Sequence, residues 1–289
     1  MRFALVARRS TPTNDALSAA VFEEVCWETM SPEQALDTLR YGDVALGRLD
    51  VLPSLDGVDD GLWALGALAA RGTIVLNEAS ALLAAHDKLL TSRLLRRAGV
   101  PHPVTLHVRP GRALPPLRPP VVVKPRYGSW GHAVVRCDDL QSLRETLEAL
   151  DELVWFRRHG ALVQQLVPPV GFDLRVLVAG GSVVGAVFRD AAADEWRTNV
   201  SLGGSRRAVP DIPDDAQALA VAAAAATGAS LVGVDLLPMR RGWAVLEVNG
   251  AVEFTEQYSL SSDVFAEASA ALVRAARIAG AGAEALAAV

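Results

Sequence analysis

Short apolar runs alternate with helical patterns through roughly the first eighty residues. Phe3 to Ala7 predicts a first strand, and Thr11 to Asp15, which carries Pro12 and Asn14, reads as the loop leaving it. Helical spacing follows near Ala16 to Val25. Ser31-Pro32-Glu33-Gln34 is a helix start: a serine to cap, a proline at the first helical position, and a polar side chain able to reach back. Asp43 to Gly47 predicts the next strand. Asp59 or Asp60 caps a helix through Ala70 that Gly72 closes, and Thr73 to Leu76 is again strand-like. Strands alternating with helices predict an open, largely parallel sheet. No GxGxxG turn follows a strand here, so this lobe is assigned no dinucleotide.

From Asn77 to Thr105 the pattern is helical and then extended, the change being forced by Gly99, Pro101 and Pro103. The proline-rich stretch 110–120 marks a connecting loop. Residues 121 to 135, VVVKPRYGSWGHAVV, read as a hairpin: a β-branched run ends at Lys124-Pro125, a loop carries Gly128 to Gly131, and apolar character resumes at Ala133. Asp138 or Asp139 then caps a helix to about Leu150, and Ala161 to Val167 is a strand. Asp173 to Ala179 and Val183 to Phe188 pair around Gly180-Gly181-Ser182. Arg189 to Arg207 is polar and irregular. A helix over Asp214 to Thr227 precedes two strands, Leu231 to Leu237 and Trp243 to Val248, and an alanine-rich helix from Ser262 frays after Gly280.

Composition narrows the class. With 289 residues, 51% of them hydrophobic, the chain can bury a large core, enough for about two domains or one domain with sub-lobes. A net charge of -5 and a pI near 5.6 argue against a nucleic-acid binder. Cys26 and Cys137 make neither a disulfide framework nor a cysteine zinc site, which fits a reducing compartment. The apolar run before Arg8 and Arg9 is too short for a signal-peptide core, and no stretch is long enough to span a membrane. A soluble cytoplasmic protein is the expectation.

Three constellations carry chemistry. In the hairpin loop, Gly128 and Gly131 free the backbone so that N–H groups can line up on phosphate oxygens, with Lys124 supplying charge. An ordinary glycine turn satisfies the same stretch. Near the end of the chain, Asp235 in GVDLLP and Glu247 with Asn249 in LEVNG are oxygen ligands near the ends of two strands. Alternation sets Glu247 and Asn249 on one side, a donor set suited to magnesium; ordinary exposed acidic groups near strand ends are the alternative, but the strongly apolar strands around Asp235 and Glu247 make an unpaired carboxylate costly. Third, Arg197-Thr198-Asn199 offers a cation and a carboxamide for a phosphoryl group or a developing oxyanion, or else is a hydrogen-bonded loop. Lys88, alone in its helix, reads as surface.

The ordered series HDK at Lys88, GVPHPVT, VVVKPRYGSWG, VQQLV, GFDLRVLV, RTN with LGG, GVDLLP and LEVNG resembles the ATP-grasp superfamily, specifically the RimK-like carboxylate-amine ligases, from about Asn77 to about Glu253. GSWG and NGAVEF are most similar to its LysX-type branch, which joins 2-aminoadipate to a carrier protein. The resemblance implies an α/β (α+β) ATP-grasp fold: a Rossmann-like N-terminal lobe over 1–80, a central lobe with the phosphate lid over 81–160, and a C-terminal lobe with the metal site over 161–289, with ATP between antiparallel sheets. It further implies that Lys88 and Lys124 bind phosphates and that Ser129, Trp130 and Gly131 belong to the closing loop. Gln165 and Leu166 would meet adenine and Asp173 the ribose. Arg197 and Asn199 would face the transferred phosphate, and Asp235, Glu247 and Asn249 would hold Mg2+ or Mn2+. Departures are Gln165, where the family often has glutamate, a short segment from Pro168-Pro169 to Asp173, and a compact N-terminal lobe.

The reaction so implied is ADP-forming amide synthesis: a carboxylate attacks the γ-phosphate, and an amino acid's amine then attacks the acyl phosphate, with Arg197 stabilising charge. The partners expected are ATP, an amino acid and a carboxylate on a carrier protein, peptide or small molecule, within a homo-oligomer (dimer or tetramer) and without nucleic acid or membrane. Two rivals stand beside it: an inactive nucleotide-binding scaffold and an ATP-grasp phosphotransferase. Glu253, Phe254 and Arg206 line the acceptor side or serve packing and surface.

Overall fold

The computed structural model describes residues 1–49, 59 and 61–287. Its N-terminal sheet is built from β1 (Phe3–Val6), β2 (Trp27–Met30), β3 (Val44–Gly47) and β4 (Ile74–Leu76), in the order β2-β1-β3-β4 with every pairing parallel. Helices α1 (Pro12–Ala19), α2 (Pro32–Thr38) and α3 (Leu62–Ala70) connect the strands. α2 carries the expected capping box, Ser31 with Gln34. Before α3, the Asp59 carboxylate accepts from the Gly61 N–H at 2.7 Å; Asp60, the alternative cap, lies outside the described residues.

Two expectations for this sheet are corrected. Thr11 to Asp15 is not a loop, because Thr11 Oγ1 accepts from the Asn14 N–H at 3.2 Å and Pro12 takes the first helical position, so a helix starts there. That helix ends at Ala19, and Phe22 and Val25 form an isolated bridge where helix was expected. β2 escaped the sequence reading because Glu28 and Thr29 both face solvent on this edge strand, which masks the alternation.

After α4 (Ala79–His86) and α5 (Lys88–Arg97) comes a second sheet from β5 (Thr105–Val108), β6 (Val121–Pro125), β7 (Val135–Cys137) and β8 (Ala161–Gln165), antiparallel in the order β5-β8-β6-β7. Helices α6 (Leu140–Leu150) and α7 (Val154–His159) precede β8; Asp139 caps α6. Val121, Val123, Leu143, Phe156 and Val163 form its core.

A third sheet holds β9 (Phe172–Ala179), β10 (Ser182–Asp190), β11 (Ser205–Ala208), β12 (Leu231–Pro238) and β13 (Trp243–Asn249), antiparallel in the order β11-β10-β9-β12-β13. On one face Leu174, Val176, Val232, Val234, Val245 and Val248 pack against α8 (Asp214–Thr227) through Ala216, Ala220, Ala223 and Ala224. The opposite face is divided. Leu177, Ala179 and Leu231 join the core shared with β1 and the last helix, α9 (Val264–Ala287), whereas Asp173, Arg175 and Asp235 lie further along on the same side. α9 extends beyond Gly280. The helix continues to Ala287, and Gly280 itself packs closely on β4, where an added Cβ would stand 3.0 Å from Ile74 Cδ1. No helix among the described residues is long and apolar enough to cross a membrane.

Candidate active site

A cavity of about 790 Å³, within the usual range for a small-ligand site, runs between the second and third sheets toward the N-terminal one. Lys124 enters it from β6, and Lys88 from the first turn of α5. That turn is fixed by Asp87, which accepts from the N–H groups of Leu89 (3.1 Å) and Leu90 (3.3 Å) and also takes a bidentate pair from Arg126 at 2.8 and 2.5 Å. The base of the hairpin loop is thereby tied to the start of α5.

The loop itself is latched by its carbonyls. Lys88 Nζ donates to Gly128 O, Ser201 Oγ to Trp130 O at 3.1 Å, and Arg197 Nη1 to Gly131 O at 3.0 Å. Gly131 has φ +76, which disfavours any side chain, and a Cβ there would press on Asn199 Oδ1 at 3.0 Å and Leu202 Cδ1 at 3.2 Å. Trp130, 54% exposed, adopts φ 60, a left-handed conformation that costs a bulky residue about 1–3 kcal/mol.

The floor of the cavity is a charged patch laid out by strand register. In one row Arg206, Arg189 and Asp173 are successive cross-strand partners on β11, β10 and β9; in the next, Arg175, Asp235 and Glu247 are partners on β9, β12 and β13. Arg175 forks onto Asp235 at 2.6 and 2.7 Å. Arg189 forks onto Asp173 at 2.8 and 2.6 Å and reaches Asp235 Oδ2 at 2.9 Å, while Thr198 Oγ1 donates to Asp173 Oδ2 at 2.5 Å. Asn249 Nδ2 lies 3.4 Å from Asp235 Oδ2, and Lys88 Nζ lies 3.0 Å from Glu247 Oε1.

These contacts set the ionisation. Burial lowers the Lys124 ammonium from 10.5 to about 8; Glu247 opposes the shift and Lys88 adds to it. Burial alone would raise the Asp235 carboxyl, but Arg175 and Arg189 outweigh it and hold the group near 2. Hydrogen bonds from the Arg197 side chain, and then from its backbone N–H, bring Glu195 down to about 2.

All the residues singled out from sequence line this one cavity: Lys88, Lys124, Ser129, Trp130, Gly131, Gln165, Leu166, Asp173, Arg197, Asn199, Asp235, Glu247 and Asn249. Lys88, read in isolation as a surface residue, is among them. Some are more committed than the motifs imply. Asp173 is 1% exposed and wholly engaged by Arg189 and Thr198, the Leu166 N–H is taken by Pro120 O at 3.2 Å, and Arg197 is paired with Glu195 at 2.7 Å. Glu253 and Arg206 also line the cavity, while Phe254 is buried and stacks on Phe265 at 4.9 Å between ring centroids.

Arg175, Arg189 and Glu195 were not anticipated. Asp173 and Arg175 stand two apart on one strand and so share a face, and Glu195 stands two residues before Arg197; both spacings were legible. A stronger signal was composition by residue type: the chain has only two lysines, Lys88 and Lys124, and both line the cavity. Every other basic side chain apart from histidine is arginine.

A family model described as a RimK-like ATP-grasp domain matches residues 85–272. A probable alpha-L-glutamate ligase of Parasynechococcus marenigrum is 35% identical over 63% of this chain and 39% of its own length; one from Xanthomonas axonopodis is 36% identical over 65% and 64%. A third, from Sodalis glossinidius, is 33% identical over 74% of this chain and 71% of its own. The first two are thus matched over less than two thirds of their length. None of the three bears a carrier-protein description. Among solved structures, the RimK domain ATP-grasp protein of Sphaerobacter thermophilus superposes with a TM-score of 0.66 at 22% identity, covering 93% of this chain and 98% of that one. The D-alanine–D-alanine ligase of Bacillus anthracis, complexed with ATP, gives 0.68 at 16% identity, covering 98% and 99%. These two likenesses establish the fold: sheets and helices in the arrangement expected from the motif order.

Proposed function

The chain belongs to the RimK-like ATP-grasp family, and from that premise we propose that it is an ATP-dependent carboxylate-amine ligase, forming an amide through an acyl phosphate. The observation that carries this reading is the convergence of Lys88, Lys124, Arg197, Asp235, Glu247 and Asn249, drawn from two sheets, one helix and one loop, on a single cavity. A polyanion bound there meets two lysines and an arginine beneath a loop whose carbonyls Lys88 and Arg197 already hold.

The residues fit a divalent cation as well. Asn249 turns its amide nitrogen toward Gly233 O and Asp235 Oδ2, which leaves its oxygen for a ligand, and one oxygen of Glu247 is beyond the contact with Lys88. Asp235 would contribute only by sharing oxygens with Arg175 and Arg189. When bound, Mg2+ or Mn2+ would screen the triphosphate charge. Lys88 and Lys124 orient the phosphates, and the loop from Gly128 to Gly131 covers them against water. Arg197, fixed by Glu195, stabilises the oxyanion as an amine displaces phosphate. Asp173 acts by orienting Arg189.

We take an amino acid as the amine and a carboxylate of a peptide, carrier protein or small molecule as its acceptor. The lobes, in this reading, span 1–80, 81–160 and 161–289. An ADP-release screen pairing the standard amino acids with candidate carboxylates tests the proposal. ADP that depends on both substrates supports it, amine-independent ADP points to a phosphotransferase, and no ADP with any pair points to a scaffold.

A further inference from the structure

The cavity does not stop at the charged sheet. Past Asn249 it is lined by Gly250 to Glu253 and then by Arg9, Thr11 and Arg48 from the N-terminal lobe. Arg48 crosses this junction with its side chain only 1% exposed, donating to Asn14 Oδ1 at 2.9 Å, to Val252 O at 2.8 Å and to Glu253 Oε1 at 3.1 Å. Thr11 Oγ1 donates to that same Glu253 oxygen at 3.1 Å. The carboxylate is therefore aimed by two donors on one oxygen, while its side chain remains 51% exposed and its second oxygen has no hydrogen-bond partner among the described residues. A solvated rim glutamate needs no buried arginine to orient it. Arg9, exposed and lining the same cavity, makes no side-chain hydrogen bond or ion pair among the described residues.

We propose that this end of the cavity is an α-amino-acid subsite, in which Glu253 Oε2 receives the substrate ammonium and the Arg9 guanidinium its carboxylate. One oriented acceptor and one uncommitted planar cation match the two ends of a zwitterion, whereas a simple amine would leave Arg9 unused and a simple carboxylate would leave Glu253 unused. Asn249 to Glu253 line the cavity without a break, so an amino acid held here shares it with the oxygen cluster. The inference rests on the ligase reading for its role in catalysis, but it is a binding statement and is tested without turnover.

Isothermal titration of the full chain, without nucleotide, with L-glutamate and then the other standard amino acids supplies the test. The bound amino acid is compared with its N-acetyl and its α-amide derivatives, on wild type, Glu253→Gln and Arg9→Gln; glutamine keeps an oxygen for Thr11 and Arg48. The expected result is that N-acetylation and Glu253→Gln each weaken binding at least about ten-fold and do not add, since both remove one charge-assisted contact. The α-amide and Arg9→Gln behave likewise. Additive losses in the cycle, or a wild-type chain that binds no standard amino acid, overturn the subsite. ADP formation is read separately: binding through Glu253 without ADP keeps the subsite and removes the ligase, and ADP formation with additive losses removes the subsite alone.

Discussion

Lys88 Nζ lies 3.0 Å from Glu247 Oε1, joining the first turn of α5 to the end of β13 across the cavity. The pair is part-exposed, at 12% and 23%, so its Coulomb energy as such is modest. Its value is positional: in the proposed ligase it sets the phosphate cation Lys88 beside Glu247, whose other oxygen faces the metal position.

Replacing Glu247 with alanine is expected to cut ADP formation by at least about a hundred-fold, the scale of losing one preorganised charge in a dry site. Far-UV circular dichroism should be unchanged. Activity within a few-fold of wild type would remove Glu247 from the metal site.

Lys124 makes stability depend on pH in a defined window. Its folded value of about 8 lies below the ordinary 10.5, so the unfolded chain binds more protons between the two. Unfolding free energy should therefore rise from about pH 8 to about pH 10.5, by at most about 3 kcal/mol, and Lys124→Met should flatten that rise. Urea melts across this range check it; identical pH slopes for the two proteins would contradict the burial account.

Asp235 works in the opposite sense. Its folded value near 2 lies below the ordinary 3.8, so the stability it contributes is complete above pH 3.8 and is lost as pH falls through about 2. Asp235→Ala leaves Arg175 and Arg189 buried with one partner fewer and should cost about 3–5 kcal/mol at neutral pH by denaturant titration. A loss under about 1 kcal/mol would mean that the paired arginines relax into solvent.

With two lysines in the chain, an amine-directed acylating reagent has only Lys88, Lys124 and the Met1 amino group to modify. Mg-ATP is expected to slow acylation at both lysines at least about ten-fold, a floor set by one charge-assisted contact, while leaving Met1 unaffected. Peptide mass spectrometry reads each site; equal rates with and without nucleotide would exclude them as phosphate contacts.

The sequence by itself determined the order of the motifs, the alternation of strand and helix in the first lobe, the capping box at Ser31, and the placing of Glu247 and Asn249 on one strand face. Those features depend on neighbours within a few positions, where the period of a strand or the geometry of a cap is sufficient. The tertiary structure alone decided that Arg175, sixty residues before Asp235, is its partner, that Arg189 bridges Asp173 and Asp235, and that Lys88 leaves the surface to meet Glu247. A two-residue period says which way a side chain points but not which strand lies beside it. Here the order β11-β10-β9-β12-β13 puts the Arg175 and Asp235 strands side by side, and register turns isolated charges into a patch. Thr11 shows a related division: its cap on α1, in a stretch whose sequence reads as loop, is a local contact, but its bond to Glu253, 242 residues away, exists only because the first lobe docks on the last sheet.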